Sequence, residues 1–368
     1  MRGAGLAGLL AGGCLVVCAA CAVASGTSDG APAPGDAPGA RPKSTRAGAS
    51  PGAGMPAGRA TPEACAVTDK LIPTCGAWWG IASDAFSGRG SLRATEAAER
   101  RMGRRADIVH IRHRGAVLFP TPQEREIAKG PRLLLINWTP APDRTWAQIA
   151  RGAVDERIDR LADHIVRTFP GRFFLTIQHE PDSEVRRGAG YSATDYVAMY
   201  RHVVTRLRGR GVRNAVTVMT YRGALDWVSK PWFDRLYPGD DVVDWVAFDP
   251  YADDRVSDFS GLVNRTRRDN PEWPGFYQWL QRRFPAKPIM LAEWGVFERP
   301  RAPRYKRDFF ASVKRQIGDY PQIKAMVYVD SSPASGGDTR FDTTPGASRA
   351  FSRLARIPRF TATSVPPA

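Results

Sequence analysis

Phe173-Phe174-Leu175-Thr176-Ile177-Gln178-His179-Glu180 is the stretch on which the fold turns. It is short, apolar and partly β-branched at its start, and it ends in a glutamate. That is the pattern of a strand buried on both faces that delivers a functional group at its end. Seven further runs of this kind surround it, at 77–82, 107–112, 132–138, 215–221, 242–249, 288–293 and 325–330. Helix-period segments lie between them. The segment 153–168 carries Val154, Ile158, Leu161, Ile165 and Val166 on one face. The segment 193–207 carries Tyr196, Val197, Tyr200, Val203, Val204 and Leu207, with Ser192 or Ala193 and Asp195 suited to its N-terminus. A third helix is predicted over 305–317. Eight strands with crossovers predict a parallel sheet closed into a (β/α)8 TIM barrel, a single catalytic domain over 63–356. The alternative is an open doubly wound sheet, but no Gly-rich phosphate loop follows the first strand.

The flanks of that domain read differently. Residues 25–62 are almost all Ala, Gly, Pro, Ser, Thr and Arg, too apolar-poor to offset chain entropy, and read as a disordered tether. Residues 1–24 read as an export signal, with Arg2 followed by an apolar stretch too short and too rich in small residues to span a membrane. Two processing sites compete. Ala22-Val23-Ala24 is a small-x-small cleavage site, and Cys18-Ala19-Ala20-Cys21 resembles a bacterial lipobox with Cys21 as the lipidated residue. The polar tether that follows directly favours lipidation, so the protein is expected to be secreted or held at the membrane surface. Residues 357–368 read as a C-terminal tail.

Cys14, Cys18 and Cys21 belong to the signal, which leaves Cys65 and Cys75. Outside the cytoplasm such a pair is most simply a disulfide, the alternative being two free thiols. Two cysteines cannot make a structural zinc site. The net charge of +16 comes mostly from scattered arginine, without a long basic run or a nucleic-acid motif. It implies either an ordinary basic soluble protein or attraction to an anionic surface such as wall polymer or lipid headgroups. Neither a nucleic-acid partner nor a second chain is expected, and a monomer suffices.

Barrel enzymes carry their chemistry at the C-terminal ends of strands. Those ends here supply Trp138, His179-Glu180-Pro181, Asp249-Pro250-Tyr251 and Glu293-Trp294-Gly295. Two glutamates closing apolar strands at one rim are costly to bury singly. Glycoside hydrolysis explains them jointly: one carboxyl held neutral protonates the leaving oxygen, and the other stays ionised to attack the sugar. Rim salt bridges to nearby arginines are the bland alternative. Trp78, Trp79, Trp138, Tyr251 and Trp294 could offer rings to sugar faces, each being as easily core, while Trp245 reads as core. His179 alternates to the side opposite Glu180, so it either reaches the site through strand distortion or is a satisfied buried histidine. No second histidine at helical spacing makes a zinc motif, and no Gly-x-Ser-x-Gly elbow is present.

Taken in order, these pieces resemble glycoside hydrolase family 26, the β-mannanase and related endoglucanase group of retaining barrels. The resemblance covers most of 77–354. It rests on Ile149-Ala150-Arg151-Gly152-Ala153-Val154-Asp155, on His179-Glu180, on the sixth-strand stretch from Tyr237-Pro238-Gly239-Asp240-Asp241 through Phe248-Asp249-Pro250-Tyr251, and on Glu293-Trp294-Gly295. It implies Glu180 as acid/base, Glu293 as nucleophile and Tyr251 as a contact of Glu293. It also implies a β-linked polysaccharide substrate and no cofactor or metal. The chain departs from the family where His179-Glu180 continues as Pro181-Asp182-Ser183, and where Val185-Arg186-Arg187-Gly188-Ala189-Gly190 replaces a Trp-rich loop. Retention predicts carboxyls about 5–5.5 Å apart. A non-catalytic glycan- or wall-binding barrel is the rival reading.

Overall fold

In the computed structural model, each apolar run between residues 77 and 330 becomes a parallel strand. They are β1 (Trp78–Ser83), β2 (Ile108–Arg114), β3 (Leu133–Thr139), β4 (Phe173–Ile177), β5 (Ala215–Tyr221), β6 (Trp245–Phe248), β8 (Ile289–Val296) and β9 (Ile323–Asp330), with a ninth, two-residue β7 (Tyr251–Ala252) that the runs did not include. β6 pairs with β8 and β9 pairs with β1, so the eight long strands close into a barrel with helices between them, as the sequence predicts. The structure describes residues 65–83, 92–186, 188–332 and 337–366. The expected signal with Cys21, the 25–62 tether and Arg187 lie outside them. Among the described residues no helix is long and apolar enough to cross a membrane.

Alternation along the strands divides the core in two. Trp78, Ile108, Leu133, Leu135, Phe174, Val218, Trp245 and Met290 fill the barrel interior. Trp79, Ile81, Val109, Leu134, Leu175, Phe248 and Leu291 face outward under the helices. The helix Asp155–Thr168 buries Ile158, Leu161, Ala162 and Ile165 against that outer face. Burial of each large aliphatic there contributes about 1.5–3 kcal/mol. Val166, read from the sequence as part of that face, is 54% exposed, because it lies one residue round the helix from Ile165. The helix Ala193–Gly209 starts at a capping box, with Ser192 Oγ accepting from Asp195 N at 3.1 Å and Asp195 Oδ2 accepting from Ser192 N at 2.9 Å.

The N-terminal ends of the strands are sealed. Cys65 and Cys75 form a disulfide with Cα atoms 5.5 Å apart. The loop between them tucks under the interior, where Lys70 O accepts from Trp245 Nε1 and Leu71 O from Trp78 Nε1. The chain after residue 356 packs at the same end: Arg359 O accepts from Ala77 N, Phe360 is buried against Trp79, and Thr363 Oγ1 donates to Cys75 O at 2.7 Å. The C-terminal ends of the strands lie at the opposite end.

Candidate active site

Toward that end the interior changes from apolar to polar. Above Ile108 on β2 come His110 and Arg112, above Leu135 comes Asn137, above Phe174 comes Thr176, and above Trp245 and Ala247 comes Asp249. The two-residue period keeps each of these on the inner face.

Glu293 reaches the same chamber by breaking the period. On β8, Leu291 pairs with Met326 and Trp294 with Tyr328, so three steps on β8 match two on β9. This bulge leaves Leu291 and Trp294 both in the outer core and Ala292 in the inner one. Glu293 is turned inward beside Ala292 and is 2% exposed. Its Oε1 accepts from Arg112 Nη2, and its Oε2 accepts from Tyr251 Oη at 2.9 Å. His179 Nε2 lies 3.4 Å and His110 Nδ1 3.8 Å from Oε1. The Glu293 amide donates to Asp249 Oδ1 at 2.8 Å, and Asp249 Oδ2 hydrogen-bonds His179 Nε2 at 2.6 Å.

A second distortion brings in His179 and Glu180. β4 ends at Ile177, and Gln178 and Glu180 then adopt left-handed φ of 52° and 53°. Non-glycine residues in that region cost about 1–3 kcal/mol each and cluster at functional sites. Because the backbone turns on both sides of His179, strand alternation no longer separates it from Glu180. The short turn Pro181–Ser183 fixes the geometry: Ser183 Oγ donates to Glu180 O, and the buried Asp182 accepts from Arg222 N at 3.0 Å. Asp182, one of the departures from the family pattern, is thus an anchor for the Glu180 turn.

The two glutamates sit in opposite electrostatic settings. Burial would raise Glu293, but Arg112 foremost, with His179 beside it, holds it well below the usual carboxylate range. Burial pushes Glu180 up to about 7, with the charges of Asp249 and Glu293 adding to the rise and His179 opposing it. Burial also lowers His110 to about 3, so its imidazole is neutral.

Of the residues read from the sequence, Glu180, Glu293, His179 and Tyr251 converge on one chamber. Trp78, Trp138 and Trp294 do not. Trp78 begins β1 at the sealed end, Trp138 packs outward on Phe119 with Nε1 donating to Gly115 O, and Trp294 packs outward on Trp79 and Tyr328. All three are fully buried and have no face for a sugar. Sequence reading missed Arg112, whose only signal was the inward, strand-end His110-x-Arg112 alternation. Among the described residues one set of atoms, on His179, Asp249 and Glu293, is close enough to share a metal ion. Its cation is already supplied by the Arg112 guanidinium, and the rest is a closed hydrogen-bonded network.

No family model and no curated relative matches the chain. Solved structures do. A ruminal family 26 endo-β-1,4-mannanase superposes with a TM-score of 0.54 at 14% identity, over 80% of this chain and 66% of that one, just under two thirds of its length. A β-mannanase from a symbiotic protist of the termite Reticulitermes speratus, solved with a gluco-manno-oligosaccharide, gives 0.55 at 12% identity over 84% and 97%. A family 26 β-mannanase from Bacteroides ovatus gives 0.55 at 17% identity over 79% and 91%. The chain therefore has the barrel fold of family 26 glycoside hydrolases, in line with the resemblance read from its sequence. At these identities the likeness concerns the fold.

Proposed function

We propose that this chain is a retaining glycoside hydrolase acting on a β-linked polysaccharide of the mannan or glucan type. A Glu293 carboxylate oxygen attacks the anomeric carbon as its bond to the glycosidic oxygen breaks. Glu180 gives its proton to that departing oxygen, leaving a glycosyl ester on Glu293. Glu180, now ionised, takes a proton from water, whose oxygen attacks the same carbon and releases Glu293. The observation that carries this reading is the split between the carboxyls: burial keeps Glu180 protonated up to about 7, while Arg112 and Tyr251 keep Glu293 ionised. The neutral His110 and the Asp249–His179 pair frame the nucleophile.

A 2-deoxy-2-fluoro glycoside with a good leaving group should trap Glu293 as a covalent ester detectable by peptide mass. Glu180→Ala should slow natural polymers by roughly 10²–10⁴-fold and activated aryl glycosides far less. No label on Glu293 would mean a binding barrel, and equal losses on both substrates would remove the role given to Glu180. Reducing-sugar release from mannan, mixed-linkage glucan and β-1,3-xylan would choose the polymer. We place the enzyme outside the cytoplasm, tethered through lipidated Cys21, and membrane fractionation of Cys21→Ser tests that placement.

A further inference from the structure

The sealed end of the barrel carries a feature that the reaction does not use. A groove of about 930 Å³ runs between the last turns of helices Tyr305–Gln316 and Pro345–Leu354 and the turn into Pro358–Thr361. Lys314, Arg315, Arg349, Arg353, Arg356 and Arg359 line it, and no carboxylate does. A seventh cation at its edge, Arg101, is paired with Asp330 and Asp342, but none of the six has an ion pair among the described residues. Elsewhere on the helical layer arginines meet acids, as in Arg201–Asp241, Arg206–Asp159 and Arg210–Asp163. Helix dipoles account for cations in a last turn, such as Lys314, Arg315 and Arg353. They do not account for Arg349 in mid-helix; beyond the helix, Arg356 also donates to Met102 O, and Arg359 is taken up by the Tyr320, Pro321 and Ile323 carbonyls.

The groove's chemistry narrows its occupant. Its floor is Ile317, Ile357 and Pro358, with the Ser348 and Ser352 hydroxyls beside them, and no aromatic ring lines it. Sugar faces and nucleobases therefore find nothing to stack on, whereas phosphate needs only cations. Its place narrows the occupant further. Arg359 donates to Ile323 O at the start of β9, and its own carbonyl accepts from Ala77 N just before β1. Cys65, where the described chain begins, is bonded to Cys75 at the same end. Glu180 and Glu293 lie at the other.

We propose that this groove docks the barrel on an anionic phospholipid surface, phosphate headgroups against the exposed Lys314, Arg315, Arg349, Arg353 and Arg356, with Glu180 and Glu293 turned away from the bilayer. The binding uses neither the catalytic assignments nor lipidation; the orientation rests on the reading of Glu180 and Glu293 given above. Its test is co-sedimentation of a chain begun at Ser25, which lacks Cys21, with phosphatidylcholine vesicles with and without 30% phosphatidylglycerol. Binding should require the anionic lipid and be lost on raising NaCl from 0.1 to 0.5 M. Each basic residue at such a surface is worth roughly five-fold, so Arg315→Ala, Arg349→Ala and Arg353→Ala together should weaken partitioning on the order of 100-fold. These three side chains are exposed, and hydrolysis of a soluble glycoside should be unchanged, which reports an intact barrel. Arg268→Ala, Arg301→Ala and Arg304→Ala remove equal charge from loops at the opposite end and should leave binding intact. Equal loss in both triple variants would reduce the effect to net charge and overturn the proposal. Binding of a soluble glycerol-phosphate polymer or DNA without binding of vesicles would overturn it too.

Discussion

Arg112→Met should move one limb of the pH profile and not the other. Methionine keeps most of the side chain's length but removes the foremost group holding Glu293 ionised against the effect of its burial. Breaking a buried ion pair from one side costs about 3–5 kcal/mol. Glu293 is 2% exposed but the Arg112 side chain is 33% exposed, so water screens part of that, leaving ~2–4 kcal/mol. At 1.36 kcal/mol per pKa unit, Glu293 should rise by roughly 1.5–3 units. The assay is kcat/KM for an aryl β-glycoside from pH 3.5 to 9, with circular dichroism at each pH to confirm folding. On the proposed roles the acid limb of the native profile should lie well below pH 4.5 and the alkaline limb should fall near 7, where Glu180 would lose its proton. In the variant the acid limb should climb by that amount while the alkaline limb stays, so the bell narrows from one side. An unmoved acid limb would refute the account of how Glu293 is kept ionised. A shift of the alkaline limb instead would exchange the roles of the two glutamates.

Glu180→Gln should raise stability while removing activity on polymers. A carboxyl raised from 4.5 to about 7 in the folded state binds more protons there than in the unfolded chain, so its contribution declines as pH rises through that window. The variant should therefore match the native chain at pH 4.5 and exceed it by ~1–3 kcal/mol at pH 8 in urea unfolding; a difference independent of pH would contradict this. Gly295→Ala should act through Tyr251, because an added Cβ would lie 2.8 Å from Tyr251 Cδ1 and Cε1. Losing a hydrogen bond to a charged group predicts a roughly 10–100-fold fall in kcat, matched by Tyr251→Phe. If Gly295→Ala is inert, the tyrosine is not held where its hydroxyl matters. Removing the Cys65–Cys75 link should lower unfolding free energy by ~2–3 kcal/mol, read as a shift of the denaturant midpoint at unchanged activity, since the loop lies at the sealed end.

The barrel was legible because its evidence is local. Each strand announces itself as a short apolar run, and the Ser192–Asp195 box announces a helix start in four residues. The two glutamates were legible as strand-end acids, but their orientation was not. Strict alternation from Leu291 would send Glu293 outward, and only the bulge against β9 turns it in. Alternation likewise separates His179 from Glu180, and only the left-handed turns at Gln178 and Glu180 reunite them. Both irregularities arise from long-range pairing and network formation, which leave no local signature. The tryptophans erred in the other direction. Trp78 opens its run and so lies at the sealed end, while Trp138 closes its run but on the outward phase, where it packs in the outer core.

The hydrogen bond from Thr363 to Cys75 places the chain's return beside its start, under the same end of the barrel. Joining the two through a short linker and opening the chain in a helix-to-strand connection elsewhere on that end would give a circular permutant with every catalytic loop intact. By the same geometry the barrel can be inserted whole into a host protein's surface loop, leaving the host attached at one end and the other end clear. Architecture and candidate site are separable in this fold because the backbone closes on itself at the end opposite Glu180 and Glu293.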